Sequence, residues 1–335
     1  MFKTTKDPDL AGNPIDDVIG SSIKYAALTA AGKLGMFREL RGKSLPLSRL
    51  AEAIGASEQG IQVLADVLVT LGYLRCVDGR YENGPVARRW LGEEGPLDFT
   101  PALLWAYELQ NVLWELPQAI QQGKPSQSLW ERWADRPEAG KDFSDYMKVK
   151  SMLTVSAIVD AVEIPQGATR LLDLGGSHGL HSIAFCRRHP ELTATIFDLP
   201  EALLKTGDAL EESGLSNRIT IQHGNFLEDE LGTGYDVVLL FEILHNHTPE
   251  ENTMLLTKAA NALRPSGVVV ILDDVRGEEF DEHNVAFSLA MFACSGDRTY
   301  SLNEIDHWLE RAGFDSSKQL ALPSSVSLVV ATRTD

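Results

Sequence analysis

The chain has 335 residues and a formal net charge of −18 at pH 7, with 30 Lys and Arg against 48 Asp and Glu. That balance argues against a nucleic-acid partner, whose phosphates are held by Lys and Arg, and works against anionic membranes and phosphorylated substrates. Hydrophobic content of 44% and charged content of 23% suit a globular protein of about two domains with a substantial core. No apolar run approaches the roughly 18–20 residues needed to span a bilayer. Residues 1–17 are polar and acidic, unlike a secretion signal. Cys76, Cys186 and Cys294 are far apart and form no metal-ligand spacing, so reduced thiols in a cytoplasmic protein are expected.

In chain order, residues 15–40 open with apolar residues at Ile15, Val18, Ile19, Ile23 and Ala26, a helical stripe. After a short helical segment at 44–55, Ser57 is placed to cap a helix over 57–71 and Gly72 to stop it. Residues 73–77 and 80–82 flank Asp78-Gly79, a hairpin signal. Helix, short helix, longer helix and hairpin together predict a winged helix-turn-helix. The usual work of that module is DNA binding. Here the candidate recognition helix has no Lys or Arg and carries Glu58 and Asp66, so a dimerisation module is expected instead. A transcriptional regulator is the non-enzymatic alternative.

Residues 92–162 read as helical and rich in aromatics, among them Trp105, Trp114, Trp130, Trp133, Phe143 and Tyr146. Most are expected to pack between helices, while those in the C-terminal half are placed to wall an organic substrate. From Gly167 onward strands and helices alternate. Strands are predicted at 170–174, 193–198, 219–223, 235–241, 268–273, 315–322 and 326–332, and helices at 178–189, 200–213, 249–263, 283–294 and 301–312. Arg264-Pro-Ser-Gly267 reads as a turn, and Pro323-Ser-Ser325 as the turn of an antiparallel hairpin closing a mainly parallel, doubly wound sheet.

The first strand runs into Leu171-Leu-Asp-Leu-Gly-Gly-Ser-His-Gly179, and the second ends in Phe197-Asp-Leu-Pro200. Ligands of open α/β sheets sit outside the carboxyl ends of the strands, where the strand order reverses. A glycine turn there lets backbone approach a nucleotide-like ligand, and an acid at the next strand tip can accept hydrogen bonds from two ribose hydroxyls. The dinucleotide fingerprint Gly-x-Gly-x-x-Gly fails, because Ser177 and Leu180 fill its later positions. Asp-x-Gly-x-x-x-Gly, read as Asp173, Gly175 and Gly179, suits S-adenosyl-L-methionine, which has no pyrophosphate to cradle.

With these motifs the chain resembles the class I S-adenosylmethionine-dependent O-methyltransferases of the dimeric type known for caffeate, acetylserotonin and bacterial natural products. The resemblance covers nearly the whole chain. It implies an α/β fold, a Rossmann-like seven-stranded methyltransferase domain at 166–335. It further implies an N-terminal α-helical winged-helix dimerisation domain at 1–95 and a helical linker at 96–165 that contributes to the substrate pocket. Ser177 replaces the family's middle glycine, and Asn225 in Gly224-Asn225-Phe226 replaces an acid beside adenine. The cofactor-binding positions so implied are Asp173, Gly175, Gly176, Gly179, Asp198, Leu199, Gly224, Asn225, Phe226 and Phe241.

Methyl transfer from a sulfonium needs an aligned nucleophile and, where that nucleophile is protonated, a base. Histidine suits neutral pH. His245 lies just beyond the fourth strand, at the family's His-Asp-Trp segment, with Asn246 and His247 in place of Asp-Trp. The resemblance implies two acids that orient the base, at Asp273 and at Asp297; Asp274 takes the first position if the strand ends one residue later. Substrate walls are expected from Phe143, Tyr146, Met147, Asn246, Phe287, Met291 and Phe292. The pairs His178/His181 and His245/His247 lack a third ligand nearby in sequence, so no metal is expected. The expected function is O-methylation of a small aromatic or polyketide-like hydroxyl by a homodimer. C- or N-methylation, or a non-methylating reaction on the same cofactor, is the alternative.

Overall fold

A computed structural model describes residues 14–277, 281–320, 322 and 326–334. The chain divides into two compact units, Met1–Leu109 and Gln110–Asp335.

In the first unit, α1 (Pro14–Lys33) and α2 (Met36–Glu39) precede β1 (Leu45–Pro46), α3 (Leu47–Ala53) and α4 (Glu58–Thr70). Ser57 caps α4 by accepting the backbone N–H of Gly60 at 3.1 Å. The hairpin of β2 (Leu74–Val77) and β3 (Arg80–Asn83) turns on Asp78 and Gly79, with φ of 49° and 72°. Both lie in the left-handed region that the tightest hairpin turns require. The sequence reading has only two strands here; the structure adds β1, antiparallel to β3. Helix α5 (Pro85–Trp90) follows, and α6 (Thr100–Leu113) runs from this unit into the second. The core gathers Met36, Phe37, Leu40, Leu50, Ile61, Ala65 and Leu68. The apolar stripe of α1 stays outside it, with Ile15, Val18, Ile19 and Ile23 all more than half exposed.

The second unit opens with helices α7 (Leu116–Gln122), α8 (Leu129–Asp135), α9 (Pro137–Met152) and α10 (Val155–Ala161). Then come β4 (Arg170–Leu174), α11 (Leu180–Arg188), β5 (Thr193–Asp198), α12 (Thr206–Ser213), β6 (Ile219–His223) and β7 (Tyr235–Phe241). The chain continues with α13 (Pro249–Ala262), β8 (Leu263–Asp273), α14 (Glu282–Ser295), α15 (Leu302–Arg311), β9 (Lys318–Leu320) and β10 (Ser327–Thr332). The strands form one seven-stranded sheet in the order β6-β5-β4-β7-β8-β10-β9. It is parallel except at β10, which runs antiparallel to β8 and β9.

Helices cover both faces, so the central strands read as unbroken apolar runs; all seven residues of β7 are buried. Alternate residues feed two cores. Leu172, Leu174, Val238, Leu240 and Ile271 pack with Leu255, Ile305 and Trp308. Leu171, Val237, Leu239 and Val270 pack with Ile158, Ile183 and Phe185 on the other side. Strand order reverses at β4 and β7, whose carboxyl ends therefore frame the crevice.

Three sequence expectations change in detail. The helix expected from Pro200 starts at Thr206, and residues 199–206 form successive tight turns, with Ala202 N–H bonded to Leu199 and Thr206 N–H to Leu203. Arg264-Pro-Ser-Gly267 lies inside β8, where the pairing with β7 shifts between Tyr235 and Val237 and Ser266 takes φ of 61°. The four residues stand opposite Asp236 alone, so the expected turn interrupts the β7–β8 pairing within the strand instead of preceding it. The strand expected at 315–322 is confined to Lys318–Leu320. The hairpin turn expected at Pro323-Ser-Ser325 falls outside the described residues.

Candidate active site

The glycine turn after β4 is built from left-handed backbone. Gly175 and Gly179 have φ of 72°, and a Cβ on Gly175 would meet Ile243 Cδ1 at 2.3 Å. Ser177 takes φ of 37°, uncommon for a residue with a side chain. Its Oγ donates to the carbonyl of Ala202 at 3.2 Å, while its own carbonyl accepts from Thr206 Oγ1 at 2.5 Å. These bonds tie the turn to the irregular segment before α12 and account for the late start of that helix.

Asp173 is buried beneath the turn, where Ser182 Oγ donates to it at 2.7 Å; burial pushes its carboxyl up to about 7. Gly176 is needed for the same fit, since a Cβ there would stand 2.6 Å from the Asp173 carboxyl carbon. Asp198, at the tip of β5, accepts the backbone N–H groups of Leu199 at 2.7 Å and Ser177 at 3.0 Å. Burial nonetheless holds its carboxyl up at about 6. Beyond β6, Gly224 is pressed against the ring of Phe197, and Asn225 Oδ1 accepts the Leu227 N–H at 3.1 Å. Phe226 meets His247 edge to face, with ring centres 5.6 Å apart. Phe241 meets the buried His181 in the same way at 4.8 Å.

His245 occupies a single 3₁₀ turn, Leu244–Asn246, at the carboxyl end of β7. Its Nδ1 lies 2.6 Å from Asp273 Oδ1 at the end of β8. A carboxylate can only accept, so Nδ1 carries a proton, and in the neutral ring Nε2 is left as the acceptor. Asp273 is itself fixed: Oδ2 accepts the Leu244 N–H at 3.0 Å and Oδ1 the Asp274 N–H at 2.8 Å. Burial alone would depress the imidazolium, but the charge and hydrogen bond of Asp273, with Glu242 behind them, raise His245 above its ordinary value. Asn246 donates through Nδ2 to the carbonyl of Glu242 at 3.2 Å.

Phe287 of α14 lies edge-on to His245 at 5.2 Å and stacks on His283 at 6.5 Å. Phe143 and Tyr146 of α9 belong to an aromatic cluster with Trp130 and Trp133. Met147, Met291 and Phe292 are half-buried on α9 and α14. Asp297 is placed differently from Asp273. It accepts the Tyr300 hydroxyl at 3.1 Å, and that hydroxyl also donates to the His247 carbonyl at 2.8 Å. Among the described residues, the ring of His245 is hydrogen-bonded to Asp273 and not to Asp297.

Two residues escape the sequence reading. Glu242 follows β7 with φ of 59°, and its Oε1 lies 2.8 Å from Nζ of Lys150 on α9. Burial opposes the Lys150 charge, but the Glu242 carboxylate overrides it and raises Lys150 above its usual range. The ammonium also stands 5.9 Å from the centre of the Phe287 ring. A signal for Lys150 was present: Phe143, Tyr146, Met147 and Lys150 share one helical face. Among the described residues, no group of three or more His, Cys, Asp or Glu side chains is arranged to hold a metal ion.

Residues 17–93 match the model of an O-methyltransferase dimerisation domain, and residues 105–315 that of an O-methyltransferase domain. The chain is 30% identical over 318 residues to the L-tyrosine C(3)-methyltransferase of Streptomyces lavendulae, covering 88% of this chain and 84% of that protein. It is 29% identical over 303 residues to the 3-hydroxy-5-methyl-1-naphthoate 3-O-methyltransferase of Streptomyces sahachiroi, covering 87% and 86%. Its fold is similar to that of human N-acetylserotonin methyltransferase, solved in complex with SAM, with a TM-score of 0.85 at 19% identity over the whole of both chains.

Proposed function

Since the chain belongs to the S-adenosylmethionine-dependent O-methyltransferases, we propose that it methylates a hydroxyl on a small aromatic or polyketide-like acceptor, with His245 as general base. The observation that carries this reading is the 2.6 Å contact between His245 Nδ1 and Asp273, which leaves Nε2 free to take a proton at the sheet's carboxyl edge. The bacterial relative acting on a hydroxynaphthoate supports the acceptor class.

The turn fits the cofactor. Gly175 leaves no room for a side chain, and Gly179 holds the left-handed conformation that starts α11. In this reading Gly175, Gly176 and Gly179 lie against the amino-acid part, and Asp198 accepts from the ribose hydroxyls. Gly224, Asn225, Phe226 and Leu199 border the base, while Phe241 lies behind the turn. Asp173 acts from beneath it by bonding Ser182 and fixing the start of α11. When bound, S-adenosylmethionine supplies an electrophilic methyl group.

The residues of the chain do the rest. Phe287, Tyr146 and Met147, with Met291, Phe292 and Phe143 around them, hold the acceptor ring and exclude water. His245 Nε2 accepts the proton that the hydroxyl sheds, and Asp273 steadies the imidazolium so formed. Asn246 holds the 3₁₀ turn against Glu242, while Asp297 positions His247 through Tyr300. Labelled-methyl transfer to a panel of phenols tests the reaction. The expected product is a methyl ether; label found only on ring carbon contradicts the O-methylation.

The same reading makes the protein a homodimer. The dimerisation-domain match and the exposed Ile15, Val18, Ile19 and Ile23 of α1 fit a second copy of the chain on that face. Light scattering at twice the chain mass is expected, and a monomer at micromolar concentration contradicts it.

A further inference from the structure

Beside the base stands an acid that the reaction described above does not use. Asp274 follows Asp273 at the end of β8 and is 3% exposed, and its Oδ1 has no hydrogen-bond donor among the described residues. The nearest cation-forming group is His283 Nε2 at 3.9 Å, beyond hydrogen-bond reach, on a ring that is 63% exposed. A buried carboxylate oxygen without a donor is costly, and such groups in a binding chamber mark where a ligand's donor belongs.

The neighbours of Asp274 are shared with the acceptor walls proposed above. Phe287 stacks on His283 with one face and meets the ring of His245 with its edge. The Lys150 ammonium lies near the same Phe287 ring. Asp274, Tyr146, Lys150 and Glu242 also act on one another electrostatically, as burial raises the Tyr146 phenol and the Asp274 carboxyl. Lys150 is matched to Glu242 at 2.8 Å, and Asp273 is matched to the ring of His245 at 2.6 Å. Asp274 has no partner at hydrogen-bond distance on Oδ1, only the imidazole of His283 at 3.9 Å.

We propose that Asp274 anchors the acceptor, selecting a phenol that carries a primary ammonium group on a short side chain. The ammonium donates to Asp274 Oδ1, supplies the hydrogen bond that this oxygen lacks and places a full positive charge closer than the His283 imidazole. A neutral hydroxyl supplies only the hydrogen bond, and a buried charge pair with good geometry is the stronger of the two. An acceptor carboxylate is disfavoured, because Lys150 is already held by Glu242 and a second anion would be repelled by Asp274. This assignment rests on the reading of the chamber as the acceptor site.

The test is calorimetry on the full-length protein loaded with S-adenosylhomocysteine, with tyramine, tyrosol and 3-(4-hydroxyphenyl)propionate as probes that share the phenol and differ in the terminal group. Tyramine is expected to bind about tenfold more tightly than tyrosol, and the propionate most weakly. In Asp274→Asn the tyramine-to-tyrosol ratio is expected to shrink to within about threefold. Equal binding of tyramine and tyrosol by the wild type, or a preference kept by Asp274→Asn, overturns the proposal. The wild-type comparison decides by itself if the variant fails to fold. Labelled-methyl transfer on the same probes separates the two readings: an ammonium preference in binding without transfer to any phenol leaves the anchor standing and removes the O-methyltransferase role.

Discussion

Nδ1 of His245 and Oδ1 of Asp273 lie 2.6 Å apart at the carboxyl ends of β7 and β8, and the other oxygen of that carboxylate accepts the N–H of Leu244. The acid therefore holds both the ring and the 3₁₀ turn that carries it. Ring orientation, tautomer and basicity follow from one buried group.

Removing the Asp273 charge tests that arrangement. The carboxylate raises His245, while burial alone lowers it. A base works when deprotonated, so activity is lost as the pH falls through the pKa of His245. In Asp273→Asn the acid limb of the pH–rate profile moves to lower pH, and the plateau kcat falls by about tenfold or more. A limb that stays in place would show that Asp273 does not set the basicity.

Asp198 gives a prediction for cofactor binding. Burial pushes its carboxyl up to about 6, and the ribose contact proposed for it is strong only when the carboxyl is ionised. S-Adenosylhomocysteine affinity, measured by calorimetry, should therefore decline as the pH falls below about 6. In Asp198→Asn the affinity is lower by about tenfold to a hundredfold and its pH dependence in that window is lost.

Gly175→Ala strains the turn itself. The residue has φ of 72°, and the added Cβ would stand 2.3 Å from Ile243 Cδ1. The expected cost is about 1–3 kcal/mol of stability together with weaker cofactor binding. Thermal unfolding with and without S-adenosylhomocysteine reads both effects, and an unchanged midpoint and affinity would refute the close fit.

His178 and His181 predict the acid sensitivity of the fold. Burial lowers them to about 3 and about 4, below the ordinary value of 6.5. The folded chain thus binds these protons less readily than the unfolded chain. Stability from them is present above about pH 6.5 and is lost as the pH falls toward about 4. Asp173, raised from 3.8 to about 7, has the opposite sign and loses its contribution as the pH rises through that value. In His181→Leu the drop in melting temperature between about pH 7 and about pH 5 is smaller than in the wild type.

Much of this architecture was legible in the chain. The strands of the sheet stood out because helices cover both faces, leaving continuous apolar runs such as Tyr235–Phe241. Asp78-Gly79 and Ser57 announced the hairpin and the α4 cap through local chemistry alone. The differences arise where distant partners decide the outcome. Ser177 and Ala202 draw residues 199–206 out of the helical pattern that Pro200 suggested. The pairing of Leu263 with Tyr235 extends β8 back across Arg264–Gly267, so the expected turn falls within the strand. In the site, the glycine turn, His245 and Asp273 were readable from motif position. The Lys150–Glu242 pair joins residues 92 apart in sequence, and no local pattern reports it. The different surroundings of Asp273 and Asp274 likewise emerge only once β8 is paired.

His245 is the proposed base for methyl transfer. The measurement that tests it most directly compares wild type with His245→Asn for labelled-methyl transfer to an accepted phenol, with S-adenosylhomocysteine affinity measured alongside. We predict a kcat lower by about 10²–10⁴-fold with cofactor affinity unchanged. Wild-type kcat in the variant would contradict the assignment.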